Sequence, residues 1–167
     1  MGCCSGAVDN LATMSADGTT GHVCFNSIFR HGLDEKRRVQ IPAMWRTGEA
    51  GEELTLLVWP QSAHGPCLRA LPPKKMAELM ADIDALPKGD PKKQTLKRFI
   101  GGSSTQVVLD KGGRICLPEA MAAAAGIKDE VVLVGLLDRF EIWNPERFAV
   151  VQAADAALAP EAFKMMD

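Results

Sequence analysis

The 167-residue chain has no apolar run near the roughly 18–20 residues that a membrane span requires. Its longest, Val131-Val-Leu-Val-Gly-Leu-Leu137, has the length of a buried strand. Several kinds of chemical machinery are also missing. There is no Gly-rich phosphate loop, no ligand cluster at metal spacing and no supported Ser–His–Asp arrangement, so the sequence predicts neither an enzyme nor a metal or cofactor site. His22, His31 and His64 are scattered, without a metal partner pattern. The five cysteines (Cys3, Cys4, Cys24, Cys67, Cys116) are odd in number and form no zinc spacing; they read as free thiols of a reducing cytosol. The opening Met1-Gly-Cys-Cys-Ser-Gly6 has Gly where a myristoylation signal wants Ser or Thr. It lacks the basic start and apolar stretch of a secretory signal, and residues 1–22 read as a flexible tail.

A large net charge is absent too. The total of −2 argues at first against a nucleic-acid partner, but the distribution matters more than the sum. Between residues 30 and 46 stand Arg30, Lys36, Arg37, Arg38 and Arg46 against only Asp34 and Glu35. Between residues 88 and 98, Lys88, Lys92, Lys93, Lys97 and Arg98 face only Asp90. The second cluster reads as a solvated helix face, with a second DNA surface as the alternative. The compensating acids lie elsewhere, so basic patches on an acidic body are expected.

What the chain does have is internal similarity. Leu33-Asp-Glu-Lys-Arg-Arg-Val-Gln-Ile-Pro42 and Leu109-Asp-Lys-Gly-Gly-Arg-Ile-Cys-Leu-Pro118 share the pattern Leu-Asp-x-x-x-Arg-apolar-x-apolar-Pro. Downstream, Leu54–Val58 matches Val131–Val134. The run Leu68-x-Ala-Leu71-x-Pro73-x-x-Met76 then matches Phe140-x-Ile-Trp143-x-Pro145-x-x-Phe148. Three matches in one order argue duplication.

Each copy decodes alike. A strand enters a turn (Asp110-Lys-Gly-Gly113), alternation resumes in Arg114–Leu117 as a hairpin partner, and Pro118 opens a short helix that stops at Gly126. A second hairpin follows, Val131–Leu136 with Phe140–Trp143, and then a helix from Pro145. Met76, Leu79, Met80, Ile83 and Leu86 fall at helical spacing and read as core or subunit interface. Pro87–Pro91 breaks that helix, another spans Pro91–Ile100, and Gly101–Ser104 reads as a linker. Two such units of about 60–70 residues are too small to stand apart. The expected fold is therefore α+β, with two tandem units closed into one pseudo-two-fold β-barrel flanked by helices. The predicted boundaries are a tail at 1–22, the first unit at 23–72, a helical segment and linker at 73–104, the second unit at 105–148 and a C-terminal helix or tail at 149–167.

Three strings now become recognisable: His31-Gly-Leu-Asp-Glu-Lys-x-Arg-Val39, Val108-Leu-Asp-Lys-x-Gly-Arg-Ile115 and Val132-Leu-Val-Gly-Leu-x-Asp-Arg-Phe-Glu-Ile-Trp143. Together, over roughly residues 25–150, they resemble the MraZ family of the SpoVT/AbrB-like, swapped-hairpin superfamily. That resemblance implies a cytoplasmic, nucleoid-associated transcriptional regulator, often a repressor, of its own promoter and the division and cell-wall gene cluster. It further implies ring oligomers that bind short repeated elements in double-stranded DNA through the two Asp-x-x-x-Arg motifs. Two departures stand out. Arg37 occupies a place where the family usually has Gly, so the first turn is expected to differ in shape, and residues 1–22 precede the family's usual beginning.

The motif makes physical sense beside the likeness. An Arg at the base of a hairpin can offer its planar fork to guanine O6 and N7, and a β-ribbon fits the major groove. The Asp four residues earlier can brace the Arg and the turn amides. Lys36 and Lys111 suit phosphate contacts. The candidate DNA-binding residues are thus Asp34, Lys36, Arg37, Arg38, Asp110, Lys111 and Arg114. His31, just before the first motif, is expected to be structural. Competing readings are a structural Asp–Arg pair that merely holds the turns, a ring-forming scaffold, and an antitoxin-type regulator of the same superfamily.

Overall fold

The computed structural model describes residues 23–49, 51–60 and 63–166. The expected tail, with Cys3, Cys4 and His22, lies outside the described residues. In chain order the elements are β1 (Ile28–Gly32), β2 (Arg38–Gln40), a 3-10 turn (Ala43–Trp45), β3 (Glu53–Trp59) and β4 (Cys67–Leu71). Then come α1 (Pro73–Ala85), α2 (Pro91–Gly102), β5 (Ser104–Val108), β6 (Arg114–Cys116), α3 (Glu119–Ala124), β7 (Glu130–Gly135), β8 (Phe140–Trp143) and α4 (Pro145–Phe163). The α+β class stands.

In β3 and β7 apolar residues occupy both alternating positions, so neither face of these strands is left to water. One face carries Leu54, Leu56, Leu68, Ala70, Val131, Leu133, Phe140 and Ile142 into the main core. The other carries Leu57 and Leu71 against Ile83 and Ile100 of α1 and α2. It also packs Cys67, Val132 and Trp143 against Phe148 of α4. All pairings are antiparallel, in the order β1-β7-β8-β4-β3-β5. That order reads alike from either end when β1 is matched with β5, β7 with β3 and β8 with β4.

Local chemistry explains the helix boundaries. Pro73, Pro91 and Pro145 each sit in a first turn, where a missing N–H costs nothing. Asp90 accepts from Lys92 N at 2.8 Å and Asn144 from Arg147 N at 3.0 Å, capping α2 and α4. The expected linker at 101–104 is absorbed into structure. Gly101 and Gly102 end α2, Ser104 opens β5, and Ser103 between them donates its hydroxyl to Phe99 O at 2.6 Å. No helix among the described residues is long and apolar enough to cross a membrane.

Two expectations are corrected. The sheet is not a closed barrel: β1 and β5 are its edges and do not pair with each other. The strands flanking each Asp turn also do not pair as a local hairpin. Instead β1 pairs β7, β5 pairs β3, and the three-residue strands β2 and β6 pair across the two halves. The cause is burial. Val39, Ile41, Ile115 and Leu117 are all at most 1% exposed, and seating them over the main core carries β2 and β6 away from the sheet. The result is a separate ribbon in the register Arg38↔Cys116, Val39↔Ile115, Gln40↔Arg114.

Candidate nucleic-acid interface

The ribbon's inward residues, Val39 and Ile115, fix which side chains face out: Arg38, Gln40, Arg114 and Cys116. At its ends the two Asp turns repeat one hydrogen-bond pattern. Asp34 Oδ1 accepts the backbone N–H of Lys36 and of Arg38, both at 2.9 Å, while Oδ2 accepts Arg38 Nε at 2.7 Å. Asp110 Oδ1 accepts the N–H of Gly112 at 2.9 Å and of Arg114 at 3.0 Å, and Oδ2 accepts Arg114 Nε at 3.0 Å.

The turns also interlock. Ile41 N donates to Gly113 O, and Leu117 N to Arg37 O, each at 2.9 Å. Gln40 Nε2 donates to Gly112 O at 2.8 Å, and Cys116 Sγ, its counterpart, to Lys36 O at 3.3 Å. Arg38 Nη1 lies 3.8 Å from Asp110, and Arg114 Nη1 lies 4.0 Å from Asp34. Two Asp–Arg pairs thereby form one four-membered charge cluster. The side chains of Arg38 and Arg114 keep 32% and 37% exposure, so their tips are braced at the surface and not locked in the interior.

Every residue singled out in the motifs therefore sits on this ribbon and its two turns. Lys36 and Lys111 are exposed and have no ion-pair partner among the described residues. Arg37 corrects the expectation of an altered turn. It takes up the left-handed conformation, φ +55°, as Gly113 does at φ +76° in the other turn. The strain of a side chain there is offset in part by the bond from Arg37 Nε to Leu117 O at 3.2 Å.

His31 is packed against Phe29, with ring centroids 6.3 Å apart, and its Nε2 is buried without a hydrogen-bond partner among the described residues. In the 88–98 cluster, Lys97 pairs Asp84 at 2.7 Å and Lys93 donates to Asp84 O and Leu86 O, so two of its cations fasten α2 to α1. Cys24, Cys67 and Cys116 are free thiols. Burial, and then the Glu141 charge, push the Cys67 thiol up to about 12. Gln40, Cys116 and Arg46 belong to the site's geometry but carried no motif signal. Only the strand register reveals the first two.

The carboxyls of Asp34 and Asp110 are held below the ordinary 3.8, first by the backbone N–H of Arg38 and of Arg114 respectively, with those arginine side chains adding to the effect. A lowered folded-state pKa means the stabilisation is complete above the unfolded value near 3.8. It is lost as pH falls through the lower folded value. Side-chain carboxyl ¹³C titration should place both midpoints below 3.8. Midpoints at or above it would mean that the turns do not hold these anions.

A family model described as "MraZ protein, putative antitoxin-like" matches residues 100–164. Among curated relatives, "Transcriptional regulator MraZ" of Caulobacter vibrioides is 34% identical over 137 residues, covering 82% of this chain and 87% of the relative. The protein of the same name from Azorhizobium caulinodans is 37% identical over 124 residues, covering 74% and 79%. That of Thermomicrobium roseum is 31% identical over 132 residues, covering 79% and 89%. With this similarity running along most of both chains, the protein belongs to the MraZ family.

Proposed function

We propose that the protein is a DNA-binding transcriptional regulator whose reading head is the β2–β6 ribbon with its two Asp turns. The carrying observation is the pair of braced, surface-facing guanidiniums, Arg38 and Arg114, held side by side on a two-stranded ribbon. Each can present its fork to a guanine edge in the major groove. The Asp–Arg charges cancel, which leaves Lys36, Arg37 and Lys111 opposed only by Glu35 nearby in sequence, a surface suited to phosphate. The relatives' printed name, "Transcriptional regulator MraZ", supports the regulatory role.

The finer reading is a repressor of its own promoter and of the division and cell-wall cluster, cytoplasmic and nucleoid-associated. It acts as a ring of subunits, each built from two duplicated swapped-hairpin units. Support for duplication comes from the matching hydrogen-bond patterns of the two turns and from the strand order that reads alike from both ends. A ring laid on repeated DNA elements makes each later contact intramolecular, so avidity supplies affinity that one ribbon lacks.

Fluorescence anisotropy with the DNA upstream of the protein's own gene tests this. Affinity is expected to fall by about 10³-fold or more between 50 and 200 mM salt, the range for six or more phosphate contacts. A duplex with one repeat should bind far more weakly than the full array. A wild-type protein that ignores this DNA would return the chain to the scaffold reading, and equal affinity for one repeat and for the array would remove the avidity.

A further inference from the structure

Gly113 occupies in the second turn the place Arg37 holds in the first, and both are left-handed. The space beside Gly113 is not empty. A Cβ on Gly113 would lie 2.6 Å from Arg46 Cζ and 2.8 Å from its Cδ, with Nη1 closer still. The Arg46 side chain thus fills the volume into which a side chain at 113 would begin. Arg46 arrives from outside the turn, as the residue that closes the 3-10 turn with its N–H on Ala43 O. Its neighbour Trp45 is 1% exposed and donates Nε1 to Asn26 O at 2.9 Å, so the start of the Arg46 side chain is firmly anchored.

The placement is hard to explain by stability. Arg46 Nε is buried without an acceptor among the described residues, which costs stability. Arg46 also makes no ion pair with a described carboxylate. An arginine kept as a structural brace would have its donors matched, as Arg147 does on Pro66 O at 3.1 Å and Arg69 on Glu141 at 2.9 Å. Arg46 is only partly buried, and the turn it lies against carries Lys111 and Arg114.

We propose that Arg46 is the second turn's counterpart of Arg37, a cation supplied through space that contacts a DNA phosphate on the Asp110 side of the ribbon. The inference rests on the reading of the ribbon as a DNA-binding face. With it each turn carries one lysine and one further arginine besides the Asp–Arg pair: Lys36 with Arg37, and Lys111 with Arg46. A phosphate contact positions the protein without reading sequence. Its loss therefore weakens specific and unrelated duplexes alike.

The test measures anisotropy against the upstream duplex and against an unrelated duplex of equal length, over a salt series. Arg46→Ala is expected to weaken both by a similar factor. It should also reduce the slope of log K against log[salt] by about 1 for each engaged subunit. Arg46→Met, which keeps much of the side chain's bulk without its charge, should lose the same slope even where alanine loosens the turn. Arg46→Ala combined with Gly113→Arg returns a guanidinium to this place from the backbone conformation that Arg37 already tolerates, and should restore the slope. Wild-type slope in Arg46→Met, a loss confined to the upstream duplex, or no recovery in the double variant would each overturn the inference. If wild type binds neither duplex, the DNA reading itself has failed; if it binds and Arg46→Met binds identically, only the role of Arg46 has.

Discussion

Alanine at both Arg38 and Arg114 is expected to abolish specific DNA binding in a chain that still folds. Each guanidinium is the one group on its half of the ribbon with a planar donor fork, a partly exposed tip and a carboxylate that fixes its direction. Loss of a guanine contact of this kind lowers affinity by roughly ten- to hundredfold, and the two acting together compound the loss. The turns should survive. Asp34 and Asp110 still accept their backbone N–H groups, and Val39 and Ile115 still seat the ribbon. What remains on the surface is two carboxylates without their cations, which repel phosphate. Anisotropy with the upstream DNA, alongside a thermal melt, makes the comparison. A folded double variant with wild-type affinity would reject the assigned face and leave the Asp–Arg pairs a purely structural role.

The largest effect on stability is expected from Phe140→Ala. Phe140 is fully buried, with ring centroids 5.4 Å from Phe25 and 5.0 Å from Trp45. Trp45 in turn meets Phe29 edge-on at 5.3 Å. Truncating an aromatic in such a cluster removes transfer free energy and leaves a cavity, for about 3–5 kcal/mol. For a chain of this size that corresponds to a melting temperature lower by roughly 6–20 °C. Leu137→Ala, at a side chain 68% exposed, should change stability by less than about 0.5 kcal/mol. Equal effects of the two on a denaturant midpoint would show that the aromatic cluster is not the keystone of the core.

The strands and helices were legible because each leaves a local mark. The alternation at Leu68–Leu71 and Phe140–Trp143, and the break at Pro87–Pro91 between two helices, fall where the structure has them. Strand partners were legible only across a short turn, as in the expected hairpin of Val131–Leu136 with Phe140–Trp143, which is β7 paired with β8. A period of two says which side chains turn inward, and nothing about which strand lies alongside. Elsewhere the sequence pattern led to hairpins across the two Asp turns and to a closed barrel, where the structure has an open sheet and a ribbon joined across the halves. At the site, the two Asp-x-x-x-Arg strings named the charged cluster, since Asp and Arg four apart meet through one tight turn. Arg46 was legible only as one charge of the basic stretch 30–46, and its place was not, because it reaches Gly113 from another part of the chain. Arg69 and Glu141 are a similar case. They pair at 2.9 Å, with Arg69 stacked 3.8 Å over Trp59 and Glu141 accepting from Trp143 Nε1, and no spacing joins them in sequence.

The ribbon's two strands come from positions some eighty residues apart, as the bond from Arg37 to Leu117 shows. During synthesis, then, the first motif leaves the ribosome long before its mate, and on the proposed reading a half-made chain has no finished ribbon to offer DNA. Closing so long a loop is slow compared with forming a local turn. On that reading, DNA binding should appear only once the second motif docks, and a nascent or clipped chain should leave the upstream DNA unbound.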